Sequence, residues 1–252
     1  MIKISGVIIT HNVANKIENT LKSLDFCDEI VVCDSYSTDD TIEVCNKYNC
    51  RIIKKEFTGF GPYKRFAVEQ AKNNWILSID SDEIISQKLK EEIVNLFKSD
   101  RINANGFYIP RSLVFLGKRL RFSGESRKNQ LRLFNKNYGN FSDDIVHEKV
   151  IISGKTSVLK NVMLHYTYED INDYFEKFNK YTKDAAYLLF KNKKKANIFK
   201  IIMRFPLTFI KIYLLKLGIL DGYQGFLWAL FSSLYPVVKY AKLKELLDKE
   251  EI

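Results

Sequence analysis

Asp80 and Asp82 stand one residue apart where the apolar run Trp75–Asp80 (WILSID) ends. Two carboxylates at that spacing on a strand end can reach one hard cation together. They can also divide the work, one on a metal and the other on a ribose hydroxyl. Mg²⁺ or Mn²⁺ suits such a site, because these ions accept one or two carboxylates and take their remaining ligands from water and substrate phosphates. Alone, the pair fits a solvated acidic turn equally well. Two further polar turns follow apolar runs: Thr10-His11-Asn12 after Ile4–Thr10, and Asp34-Ser35 after Glu29–Asp34. No G-x-G-x-x-G or G-x-x-x-x-G-K-[ST] lies in any of these turns, so the two commonest phosphate cradles are missing. Phosphates here need a metal and basic side chains.

The elements that position these turns alternate in type. Ile4–Thr10, Glu29–Asp34, Arg51–Lys55 and Trp75–Asp80 read as strands, rich in β-branched residues. Between and after them, Asn15–Leu24, Thr38–Tyr48, Tyr63–Lys72 and Gln87–Lys98 read as helices, the second opened by Ser and Asp caps. Strands alternating with helices imply an α/β domain with a mostly parallel, doubly covered sheet. Ligands gather at the carboxyl ends of such strands, where the polar turns fall. From 106 to 168 the texture changes to short strands and loops, with candidates at Gly106–Pro110, Gln130–Phe134, Val146–Ile152 and Val162–Tyr168. Gln130 and Arg132, two apart on one of them, face the same side. Ile171–Phe190 then has apolar residues at helical spacing.

Charge separates the chain into regions. The 252 residues carry a formal net charge of +10, with residues 1–90 near neutral and the excess concentrated after 190. The tail Ile198–Leu243 is rich in Ile, Leu, Phe and Tyr and carries Lys200, Arg204, Lys211 and Lys216. Its uncharged run, Gly222–Val238, is shorter than the roughly 20 apolar residues that span a bilayer. A basic, apolar, non-spanning tail reads as an anchor on an anionic membrane surface; a helical dimer interface or internal core are the alternatives. Cys27, Cys33, Cys45 and Cys50 match no zinc spacing and read as reduced, which implies a cytoplasmic chain associated peripherally with the inner face of the membrane. A non-enzymatic binder of RNA or membrane would account for the charge. It leaves the carboxylates Asp34, Asp80 and Asp82 unexplained, so nucleic acid is not expected as a partner. A sugar-nucleotide pyrophosphorylase would carry a Gly-rich basic loop after the first strand, which Thr10-His11-Asn12 is not.

Thr10-His11-Asn12, Val32-Cys33-Asp34 with Ser37-Thr38-Asp39-Asp40-Thr41, and Asp80-Ser81-Asp82 occur in that order. In this the chain resembles the inverting glycosyltransferases of family 2, which have the GT-A fold, a Rossmann-like sheet with helices on both faces. Phe57-Thr58-Gly59-Phe60-Gly61, Gln130-Leu131-Arg132-Leu133-Phe134, Val146-His147-Glu148-Lys149-Val150 and Leu164-His165-Tyr166 look like the subgroup of lipopolysaccharide core β-glucosyltransferases. Two departures are Val13, where the family usually has Glu, and Arg65, where the subgroup usually has Asn.

The resemblance implies a nucleotide-sugar donor, UDP-glucose, and transfer to a lipid-linked saccharide such as the inner core of lipopolysaccharide; another cell-surface glycoconjugate is the alternative acceptor. It implies a GT-A domain over 1–190, with a nucleotide-binding half (1–100) and an acceptor-side half (101–190), and a membrane-associating helical tail over 191–252. Thr10, His11, Asn12 and Asp34 would border the nucleobase, and Lys64 the base or phosphates. Asp80 would touch the ribose and share with Asp82 the metal, Mn²⁺ or Mg²⁺, to which His165 would add a contact. Gln130 and Arg132 would face the donor, Arg132 suiting a diphosphate because its fork matches phosphate oxygens. An inverting transfer needs one carboxylate to take the acceptor's proton. Glu148 is the first candidate and Asp144 the second, followed by Asp143 and Glu125, with His147 placed to orient Glu148.

Overall fold

Near-continuous apolar, β-branched runs make strands covered on both faces. In the computed structural model, which describes residues 2–98, 102–145, 148–195 and 198–250, the chain opens with β1 (Ile4–Thr10), α1 (Ala14–Lys22), β2 (Glu29–Asp34), α2 (Thr41–Lys47), β3 (Arg51–Lys54) and α3 (Phe60–Glu69). It continues through β4 (Trp75–Ser78), β5 (Glu83–Ile85), α4 (Gln87–Lys98), β6 (Gly106–Phe115), β7 (Lys118–Arg119) and β8 (Lys128–Asn135). Then come β9 (Gly139–Phe141), β10 (Val150–Ile152), β11 (Thr156–Val158), β12 (Met163–His165), α5 (Ile171–Lys191), α6 (Ile198–Ile210) and α7 (Gly222–Glu250).

The main sheet has the order β3-β2-β1-β4-β8-β6-β12-β5. Its first four strands are parallel, and β8 enters antiparallel to β4 and β6. The strand order reverses between β1 and β4, so the carboxyl ends of these two strands flank a switch point of the kind that holds ligands in open α/β sheets. Adjacent residues on one strand bury toward opposite faces. Ile8, Val32 and Leu77 join one apolar layer with Ile17, Leu21 and Ile93. Val7, Val31 and Ile76 join the other with Tyr63, Ala67 and Val68. Each fully buried aliphatic side chain contributes about 1.5–3 kcal/mol.

The chain forms two compact units: Met1–Ser112 with Arg127–His165, and Leu113–Ser126 with Tyr166–Ile252. The division differs from a cut at residue 190, because α5 falls with the tail. Within that second unit Tyr174 and Phe178 of α5 cluster with Phe115, Leu120 and Leu227, and with Trp228, Phe231 and Tyr235 of α7. Buried Asp221 accepts from the backbone N–H groups of Arg121 and Phe122 and from the Ser123 hydroxyl at 2.8–3.0 Å. Among the described residues no helix is long and apolar enough to cross a membrane. The expected strand Val146–Ile152 is observed as β10 alone; Val146 and His147 lie outside the described residues.

Candidate active site

All the sequence-predicted site residues except Glu125 fall in the first unit, and most of them sort into two groups. The first is a latch between the turns after β1 and β2. Thr10 pairs in register with Asp34, and its hydroxyl donates to Asp34 Oδ1 at 2.8 Å. Asp34 also accepts from the Ser37 amide and hydroxyl and is fully buried. Asn12 takes φ 50°, a left-handed conformation that Asn tolerates. Its Oδ1 accepts from the Thr38 amide at 2.8 Å, while its own amide donates to Ser37 Oγ. His11 is exposed, and its Nδ1–H donates to the Ser35 carbonyl at 2.8 Å.

The same latch caps two helices. Among the first orphan N–H groups of α1, Val13 donates to Thr41 Oγ1 and Ala14 to Asp39 Oδ2. Asp39 Oδ1 accepts from the Thr41 amide at the start of α2. Val13 itself offers no cap, so the second turn supplies the anionic group that a helix N-terminus favours. Burial works against the charge on Asp39, but the Thr41 hydroxyl and these amides hold its carboxyl below the usual range. The helix expected to begin at Thr38 therefore begins at Thr41: residues 37–39 bond across to the neighbouring turn.

The second group is ionic. The Lys64 ammonium, 5% exposed, lies 2.7 Å from Asp80 Oδ1 and 2.8 Å from Glu148 Oε1. Arg132 Nη2 donates to Asp80 Oδ2 at 2.5 Å and to Glu83 Oε1 at 3.1 Å, and Arg111 reaches the same Glu83 oxygen at 3.3 Å. Glu83 Oε2 accepts from the Asp80 amide at 2.9 Å, which fixes the acidic turn. Thr20 of α1 holds that turn from beneath, donating to the carbonyls of Ser81 and Glu83. Burial opposes ionisation of Asp80, yet Arg132 and Lys64 hold its carboxyl well below the carboxylate range. A register shift puts Leu133 opposite Phe107 and Leu131 opposite Tyr108, so Arg132 has no cross-strand partner. A bulge of this kind re-aims a side chain.

Asp82 Oδ2 lies 3.3 Å from His165 Nε2, because β12 pairs with β5 and puts His165 opposite Glu83. Among the described residues no group of three or more His, Cys, Asp or Glu could hold a metal ion. Asp82 and His165 still fit Mg²⁺ or Mn²⁺ as the protein's share of a coordination shell, since these ions take one or two protein ligands with water and phosphate. Both oxygens of Asp80 are engaged, one by Lys64 and the other by Arg132.

The profile of glycosyl transferase family 2 matches residues 5–155. An uncharacterized glycosyltransferase of Rickettsia typhi is 30% identical over 98% of this chain and 88% of its own length. The chain belongs to glycosyltransferase family 2. A lipopolysaccharide core biosynthesis glycosyltransferase, LpsC of Rhizobium meliloti, is 27% identical over 95% of this chain and 91% of its own. Among solved structures, Staphylococcus aureus TarS (residues 1–349) aligns with a TM-score of 0.48 at 16% identity, covering 99% of this chain and 92% of TarS.

In this glycosyltransferase the base candidates separate. Glu148 touches Lys64 and lines a pocket of ≈ 280 Å³ with Arg132 and Gln130. Asp144 is exposed; its carboxylate accepts from Ser142 Oγ, and its carbonyl accepts from the Gly61 amide. Asp143 pairs with Arg65 at 3.3 Å, and Glu125 belongs to the second unit. Arg65 also donates twice to the Phe141 carbonyl, so the departure from Asn supplies a clamp on this loop. The F-T-G-F-G segment serves the same junction. Gly59 has φ 104°, and a Cβ on Gly61 would meet the carbonyl oxygens of Ser142 and Asp144 at 2.3 and 2.4 Å. The first amides of α3, Phe60 and Gly61, donate to Ile145 and Asp144.

Sequence reasoning missed Glu83 as a site residue. Its signal is a third acid directly behind Asp80-Ser81-Asp82, where a buried carboxylate must be paired.

Proposed function

We propose that this enzyme transfers a hexose, glucose from UDP-glucose, with inversion onto a lipid-linked saccharide such as the inner core of lipopolysaccharide. The observation that carries the reading is the ionic cluster: Asp82 against His165, with Lys64 and Arg132 on Asp80 at the mouth of β4. This set of carboxylate, imidazole and cations suits a nucleoside diphosphate and a divalent ion. Family membership supports the transfer, and the name of the LpsC relative supports the acceptor class.

Asp82 and His165 would hold Mn²⁺ or Mg²⁺, which when bound supplies Lewis-acid stabilisation of the charge on the leaving diphosphate. Lys64 and Arg132 exchange part of their bonding to Asp80 for phosphate oxygens, and Asp80 is then free to accept from a ribose hydroxyl. Thr10, His11 and Asp34 border the base through the turns they shape. The Glu148 carboxylate takes the acceptor hydroxyl's proton as that oxygen bonds to the anomeric carbon; the bond to the diphosphate breaks on the opposite side, and UDP leaves with the electron pair. Glu148 fits this role better than Asp144 because it faces a pocket, whereas Asp144 is outward and bonded to Ser142.

The second unit supports peripheral attachment to an anionic membrane. Exposed Ile202, Leu207, Leu214, Leu215 and Leu220 share residues 202–220 with Arg204, Lys211 and Lys216. Apolar side chains with basic neighbours suit the boundary of an anionic bilayer.

The test is transfer from UDP-glucose to a lipid-linked core saccharide by purified protein with Mn²⁺. A β-linked product, and loss of turnover with a chelator, are the expected results. Turnover unchanged by chelation, or an α-linked product, overturns the reading.

A further inference from the structure

The pocket beside Glu148 has lining that a neutral sugar does not require. At ≈ 280 Å³ it falls just below the usual range of ligand pockets, about 300–1,000 Å³, so it suits one ring rather than a chain. None of the nucleotide-side residues Thr10, Asp34, Asp80, Asp82 or His165 lines it; Glu148 does. Gln130 and Arg132 bring it up to the donor edge, and Glu148, Lys149 and Val150 come from the acceptor-side half. On the glycosyl-transfer reading above, on which this rests, the pocket is the place where an acceptor ring meets the donor.

Its walls combine Tyr108 and Gln130, which can meet sugar hydroxyls, and Phe141, whose ring can cover an apolar sugar face, with Arg132 and Lys149. The charges around it do not balance. Lys64, Arg132 and Arg111 are matched by Asp80, Glu148 and Glu83. Lys149 lies outside this closed set, on the pocket wall. Arg132 is 6% exposed, and its Nε–H has no hydrogen-bond partner among the described residues. A buried charged donor left unpaired is costly, and the side chain that carries it lines the pocket.

We propose that this pocket takes one ring of the acceptor saccharide bearing a carboxylate or phosphate group. The anion lies between Arg132 and Lys149, and the accepting hydroxyl meets Glu148. The fixed anion would also orient the ring, so that one hydroxyl of several reaches the base.

Calorimetry on the full chain, with UDP and Mn²⁺ present, tests this with glucose 6-phosphate, methyl glucuronide and methyl glucoside as probes. At least one anionic probe is expected to bind about tenfold tighter than methyl glucoside, as charge-assisted hydrogen bonds allow. The phosphate or the carboxylate probe, whichever wins, names the group. Lys149→Met should abolish that preference and leave methyl glucoside and UDP binding unchanged. Equal affinities for the three probes, a preference that survives Lys149→Met, or competition of the anionic probe with UDP overturns the proposal. UDP binding in the same titrations keeps this failure distinct: if UDP binds and no preference exists, only the anionic subsite falls. If UDP does not bind, the glycosyl-transfer reading falls with it.

Discussion

The turns after β1 and β2 and the cluster around Asp80 both carry family motifs, but they are held together by different physics. In the latch, Asn12, Asp34, Ser37, Asp39 and Thr41 satisfy backbone amides and one another through bonds local to the two turns. The bonds to the Val13, Ala14 and Thr41 amides among them fasten the starts of α1 and α2. In the cluster, Lys64 and Arg132 satisfy carboxylates that a polyanion can replace. A motif residue can therefore shape a site or work in it, and the identity of its bonding partner distinguishes the two roles.

Substitutions sharpen this contrast. The largest effect on turnover is expected from Glu148→Gln, which keeps the shape but removes the proton acceptor. Transfer should fall about 10²–10⁴-fold in steady-state assays while UDP affinity holds; a loss under tenfold would move the base elsewhere. Glu83→Ala leaves Arg132 and Arg111 without their shared carboxylate, and removing one partner of a buried pair costs about 3–5 kcal/mol, to be read in denaturant unfolding. Asp39→Ala belongs to the latch and should cost about 1 kcal/mol as a lost helix cap, with the pH profile of turnover unchanged.

The smallest effect is a pH dependence. Asp80 is held below its unfolded value, so its pairing stabilises the fold above the ordinary carboxylate value, about 3.9. That contribution is lost as pH falls through the lower folded value. The stability difference between the native chain and Asp80→Asn should thus be flat from pH 5 to 8 and shrink below about pH 4.

Strands β1 and β2 were legible to the residue, because continuous β-branched runs bounded by polar turns admit one reading. β5, β7, β9 and β11 were not: two or three residues set no period. Helix α3 starts at Phe60 rather than Tyr63 because its first amides find carbonyls at 144 and 145, a partner distant in sequence. The bulge at Arg132 is invisible for the same reason, since it exists only in the pairing of β8 with β6. Asp80, Asp82, Arg132 and Glu148 stand out in the sequence by residue type and motif. That Lys64 ties Asp80 to Glu148 was not legible, because one lysine on a helix carries no sign of which carboxylates will surround it.

The most direct measurement is the titration of purified protein with UDP, with and without Mn²⁺, repeated on Asp82→Ala. Affinity that rises with the ion in the native chain, and no longer responds to it in the variant, is the expected result. UDP binding indifferent both to Mn²⁺ and to the loss of Asp82 would contradict a diphosphate held at the mouth of β4.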